Sequence, residues 1–196
     1  MYNLDQNVSE QSGGNFFNVG IYDNVRLTQV TVEEASNGNQ YLKFHFEGEN
    51  GEKLNHTEWP VDPSDQNFEK KMKNFLIRIK HISTKFVDAE KVNINAPDFD
   101  GFANQLITML TPNLDNTLVR VKLIYNYRNY VSLPKYVPFI ESMAIAKDKT
   151  RLKIDPSFDK MEKDEGTDPV LNTGESTLVS PASVTDSVES DETLPF

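Results

Sequence analysis

From Gly20 the chain enters a run rich in β-branched residues, with Val25, Leu27 and Gln29 on one parity and Arg26, Thr28, Val30 and Val32 on the other. This pattern predicts a long strand. Ser36-Asn37-Gly38-Asn39 then predicts a hairpin turn, because an Asn-Gly pair tolerates positive φ at the turn centre. The returning strand, Tyr41 to Glu47, places Leu42, Phe44 and Phe46 on a core face and Tyr41, Lys43 and His45 on the opposite one. A second turn, Gly48-Glu49-Asn50-Gly51, leads into a third strand ending near Trp59-Pro60. The period then lengthens. Phe68, Met72, Phe75, Ile79 and Ile82 recur at spacings of three and four, which predicts an amphipathic helix, with Asp62-Pro63 as cap and first helical residue. Asp98 to Leu110 predicts a shorter helix that ends at Pro112. Strand character returns over Leu118 to Tyr125, and Tyr130–Leu133 with Tyr136–Ile140 read as one strand interrupted at Pro134.

Three strands, a helical insert and two further strands form a mainly β chain with the element order of an OB-fold, a five-stranded, partly open barrel. The polar first 15 residues, with Gly13-Gly14 and no apolar period, are expected to be a flexible arm. Residues 16–160 are expected to form the folded domain. Residues 161–196 contain no aromatic before Phe196, and ten of them are Ser or Thr, so a disordered acidic tail is expected there.

The net charge of −10 hides a division within the chain. Residues 161–196 hold nine acids against Lys163 alone, whereas residues 120–153 hold eight bases against two acids. A +6 segment therefore coexists with an acidic whole, so the overall balance does not exclude a nucleic-acid partner. The −8 tail is expected to compete for that segment. No cysteine is present, which excludes disulfide scaffolds, Cys-ligated metals and thiol nucleophiles. No apolar run approaches membrane length, and the first residues carry neither a basic start nor an apolar stretch, so the expectation is a cytoplasmic protein with no membrane partner.

The segment from Val119 to Tyr130 combines Arg120, Lys122 and Arg128 with Tyr125, Tyr127 and Tyr130. Arg120 and Lys122 alternate with Val119, Val121 and Leu123, so the bases are expected to point away from the core. A single strand of nucleic acid needs cations for its phosphates and flat side chains for its bases. Tyrosines also pair across hairpins for stability alone, which is the competing explanation. Tyr41, Lys43 and His45 repeat the combination on the second strand, the face on which OB-folds bind oligonucleotides. Trp59, the single Trp, is either a base platform or a core plug at the end of the third strand, and core is the commoner fate of a lone Trp. His45, His56 and His81 show no metal-ligand spacing, and no nucleophile motif or phosphate-cradling Gly loop is present, so no cofactor is expected.

The chain finishes Glu189-Ser190-Asp191-Glu192-Thr193-Leu194-Pro195-Phe196. This stretch resembles the C-terminal tip of bacterial single-stranded DNA-binding proteins, in which acids precede an aliphatic residue, Pro and Phe. Asp191, Glu192, Leu194, Pro195 and Phe196 match, and Thr193 interrupts the acidic run. The resemblance implies docking of replication or repair proteins at the tip. The cysteine-free body with an inserted second helix is similar to a bacteriophage protein of that class.

These residues lead to the expectation of a non-catalytic, sequence-tolerant single-stranded DNA-binding protein of replication, recombination or repair. Tyr41, Lys43, His45, Arg120, Lys122, Tyr125, Tyr127, Arg128 and Tyr130 would contact DNA, and the tip would contact partners. The alternatives are an adaptor that uses the same tip without DNA affinity, marked by burial of the three tyrosines, and a metal-dependent nuclease, marked by carboxylates clustered in a cleft. Oligomeric state and DNA-versus-RNA preference stay open at this level.

Overall fold

The computed structural model describes residues 14–164. It is mostly antiparallel sheet with two helices. The strands are β1 (Gly20–Glu34), β2 (Gln40–Glu47), β3 (Lys53–Glu58), β4 (Leu118–Tyr125), β5 (Val131–Ser132) and β6 (Ile140–Ser142). The helices are α1 (Phe68–Ser83) and α2 (Phe99–Leu110), both between β3 and β4. The order β3-β2-β1-β4-β5, with β6 also on β4, is consistent with an OB-like fold. β3 and β5 approach within 8 Å, Cα to Cα, but no ladder joins them, so the sheet is not closed.

The two parities of β1 are reconciled by bulges. Leu27 pairs with Phe46 and Gln29 with His45, so Thr28 is an extra residue that switches the face of everything after it. Val25 and Leu27 before the bulge and Val30 after it are therefore all buried in one core. The Thr28 hydroxyl donates to the His45 carbonyl at 3.1 Å. A second irregularity lies between Tyr22 and Val25, where Asn24 adopts φ 57°. These two kinks bend β1 so that its first half pairs with β4 and its second half with β2.

The β1–β2 turn forms at the expected place, with Gly38 at φ 80° and Asn39 N–H donating to Asn37 Oδ1. Phe16 bridges to Lys53, while Phe17 packs edge-on against Tyr22. The start of α1 departs from expectation. Asp62 and Asp65 instead hold two successive turns, accepting from the backbone N–H groups of Ser64 and Asn67 at 2.8 Å each, and the helix opens at Phe68. These Asx turns compete with helix by offering the backbone a local acceptor. α2 starts as expected, with Asp98 accepting from Gly101 N–H at 2.8 Å. Phe75 of α1 packs on Phe102 of α2 at 5.7 Å between ring centres.

β5 and β6 lie in line along the same edge of β4: Ile124 faces Ser132 and Val121 faces Ile140. The expected interrupted strand is thus two short strands around an excursion through residues 133–139. α1 spans the gap between β3 and β5 through Arg78. Its guanidinium is buried, donates to Glu58 Oε1 from Nε at 2.8 Å, donates to the Pro134 carbonyl, and stacks over Phe139. His56 Nε2 lies 2.8 Å from the same Glu58 oxygen. Burial alone would raise the Glu58 carboxyl, but its contacts with His56 and Arg78 outweigh burial and hold it below the ordinary value. A polar cluster therefore ties the helix to both sides of the open seam.

His81, near the end of α1, accepts from Phe139 N–H at 3.3 Å and meets the Phe139 ring edge-on. Burial, with Lys85 and Arg151 adding positive charge, pushes its pKa down to about 4 from 6.5. Between those values the unfolded chain binds a proton that the folded chain refuses, so stability should fall as pH drops from 6.5 to 4 and stay level just above 6.5. After discounting for partial exposure, the loss should be roughly 1–2 kcal/mol. Urea midpoints for the parent and His81→Gln across this range test it: the variant should show a flatter profile.

Candidate nucleic-acid interface

The expected binding residues separate into a half-buried group on β2, a largely exposed group on the β4–β5 loop and a buried group on β4. The first group lies on the outer face of β1–β3. Leu42, Phe44 and Phe46 are fully or almost fully buried, so strand alternation turns Tyr41, Lys43 and His45 outward, as expected. Trp59 does not plug the core. Leu54, His56 and Glu58 point inward along β3, so Trp59, one residue later, projects outward at 47% exposure. Its ring lies 4.5 Å from that of Tyr41. The parity of β3 carried this signal, and the general preference of Trp for burial obscured it.

Glu33 of β1 organises this face. It accepts from the Tyr41 hydroxyl at 2.9 Å and pairs with Lys43 at 3.0 Å. These contacts, with Lys43 first, hold its carboxyl below the ordinary value. The charge of Lys43 is therefore already answered inside the protein. His45 is joined to the Thr31 hydroxyl at 3.3 Å. The face offers an anchored aromatic pair and hydrogen-bonding side chains, and little net positive charge.

The second group is the β4–β5 loop, residues 126–130. Asn126 closes it: its amide oxygen accepts from Arg128 N–H at 2.8 Å and Tyr130 N–H at 3.1 Å, and its own N–H donates to the Tyr130 carbonyl at 2.9 Å. Asn129 takes φ 60°, accessible to Asn at small cost, and its buried side chain accepts from Lys160 Nζ at 2.7 Å. This framework presents Tyr127 at 70% exposure and Tyr130 at 49%. Arg128 and Lys135 flank the Tyr127 ring at 5.2 and 5.4 Å from its centre. Tyr125 is half-buried, with Lys163 over its ring at 5.9 Å. Lys135 was not singled out from the sequence, and only the approach of the chain after β5 to this loop brings it there.

Arg120 and Lys122 are corrected. They do point away from the apolar core, but that side of β4 is covered by the chain between Pro134 and Lys160, and each residue is only 3% exposed. Arg120 pairs with Asp23 and lies 3.9 Å from Glu141. Lys122 donates to Asp159 at 3.0 Å, to the Tyr136 hydroxyl at 3.0 Å and to the Lys153 carbonyl at 3.1 Å. Burial would lower the Lys122 pKa, yet Tyr136 and Asp159 more than reverse this and raise it. Burial likewise opposes ionisation of Asp159, but Tyr136, the Asp155 N–H and Lys122 hold its carboxyl below the ordinary value. In this structure neither base is available to a phosphate. Two of the three bases between Val119 and Tyr130 thus belong to an internal polar lock.

Asp191, Glu192, Leu194, Pro195 and Phe196, the expected partner-binding residues, lie outside the described residues, as does most of the N-terminal arm. Among the described residues no His, Asp or Glu group is placed to hold a metal ion, and no helix is long and apolar enough to cross a membrane.

No protein-family model matches the chain, and no curated protein matches it. Among solved structures it is similar to a mutant of the Salmonella typhi PltB homopentamer, at 10% identity over 66% of this chain and 88% of that one. The TM-score is 0.26. At that value the likeness carries no argument, and the OB-like reading rests on the strand order of this chain.

Proposed function

We propose that the chain is an OB-fold protein that binds single-stranded DNA without sequence preference, as part of replication, recombination or repair. The observation that carries this reading is Tyr127, mostly exposed on a hydrogen-bonded loop and flanked by Arg128 and Lys135. An exposed ring with two cations beside it is the local arrangement that a stacked base and its flanking phosphates require. Exposed Trp59, packed on half-buried Tyr41, supplies a second stacking surface on the face where OB-folds take oligonucleotides. Exposure of Tyr127 and Tyr130 also favours this reading over an adaptor without DNA affinity, for which those rings would be buried. The role proposed is non-catalytic and intracellular. Partner recruitment through Leu194, Pro195 and Phe196 is proposed on the resemblance of the tip alone.

A fluorescent oligothymidine titrated at several salt concentrations tests the proposal. Log affinity should fall against log salt with a slope near −0.7 for each phosphate neutralised. Arg128→Ala and Lys135→Ala should each flatten that slope by about one phosphate. Arg120→Ala should leave the slope unchanged among folded molecules, since its charge is spent on Asp23. Absence of saturable binding at low salt would reject the function itself.

A further inference from the structure

The acidic tail was expected to lie against the basic segment around β4, where Arg120 and Lys122 are buried and paired and the other six bases of residues 120–153 are exposed. The tip of the tail, which is apolar as well as acidic, suits a different surface. α1 uses one face for the core, through Phe75, Ile79 and Ile82, and leaves a second apolar strip uncovered beside it. Leu76 and Ile77 are 44% and 42% exposed, and with Phe68 and Met72 they floor an open groove of about 450 Å³. Lys73 and Lys80 line the same groove, with Glu69 at its N-terminal end. An apolar floor with lysines at its side calls for an occupant that is apolar and acidic at once.

We propose that this groove seats the chain's own stretch Glu189–Phe196, with Leu194 and Phe196 on the apolar floor and Asp191 and Glu192 toward Lys73 and Lys80. Charge complementarity carries the choice of occupant. Residues 165–196 contain seven acids and no base, and only their last eight residues combine three acids with Leu, Pro and Phe. A second copy packed antiparallel on this face would set Glu69 of one α1 against Lys80 of the other, so the concentration dependence of the contact is what distinguishes a second copy from the tail. The 24 residues between Asp164 and Glu189 impose no barrier, since an extended chain of that length spans up to about 80 Å. The seat lies on α1 and not on the Tyr41–Trp59 face or the 126–130 loop. Its occupancy therefore stands independently of whether the chain binds DNA, and coating a strand does not by itself release the tip.

The test uses the full chain with a photoreactive benzoylphenylalanine in place of Phe196, and crosslinked peptides are mapped by mass spectrometry. Crosslinks should fall within residues 68–80, with a yield independent of protein concentration. The paired substitutions Lys73→Glu with Lys80→Glu, and Leu76→Ser with Ile77→Ser, should each lower that yield at least fivefold. These positions line an open groove and not the core, and circular dichroism verifies that the fold is kept. Saturating oligothymidine should leave the yield unchanged. Crosslinks confined to the β1–β3 face or the 126–135 loop, a yield that falls on adding oligothymidine, or a yield proportional to protein concentration would each overturn the proposal. Equal yields in parent and variants would do the same.

Discussion

Replacing Lys122 with Met should destabilise the protein by about 3–5 kcal/mol and leave the salt dependence of any DNA binding untouched. The ammonium answers a carboxylate, Asp159, whose side chain has no exposed surface, and it also bonds to the Tyr136 hydroxyl and the Lys153 carbonyl. Removing one member of a buried pair leaves the other charged, desolvated and unmatched, and this is where the estimate comes from. The chain from Pro134 to Lys160 should then loosen from β4, because Asp159 is one of its main attachments. Urea unfolding and a thermal shift on the order of 10 °C measure the effect. Acid gives an independent check. Asp159 has a depressed pKa, so its pairing stabilises the fold at pH above the ordinary 3.8 and is lost as pH falls further. The gap between parent and variant should therefore narrow in that acidic range. A Lys122→Met protein as stable as the parent at neutral pH would mean that the lock does not hold the fold.

Trp59→Ala combined with Tyr127→Ala should lower oligothymidine affinity by more than any single change, with the salt slope preserved. Each ring offers one base a stacking surface, and a lost stack weakens binding by roughly ten- to a hundredfold. The two sites lie on different segments, just after β3 and in the 126–130 loop, so their effects should add unless one strand cannot reach both. Neither ring is buried, so both variants should unfold at close to the parental midpoint, which separates loss of contact from loss of fold. A double variant that binds as tightly as the parent would remove the aromatic surfaces from the proposed site.

The hydrophobic pattern alone located β1–β4 and α2 within a residue or two and assigned both faces of β2, because alternation and helical period are local properties of the chain. The outward placement of Tyr41, Lys43 and His45 follows from the same alternation, and the exposure of Tyr127 from a loop of polar residues closed by Asn126. The two parities of β1 could not be resolved that way. A bulge at Thr28 is defined by the register against β2, and the register belongs to the pair of strands, not to either one. The start of α1 shifted to Phe68 because Asp62 and Asp65 found nearer backbone donors than a helix would have given them. The largest reversal concerns charge. Alternation correctly turned Arg120 and Lys122 from the core, but what covers the far side of β4 depends on Asp23 and Asp159, 97 and 37 residues away in sequence. A base on the outer face of a strand looks the same in sequence whether it meets water or a partner brought in by the fold, so which of this chain's cations are free for a ligand was decided only by tertiary packing.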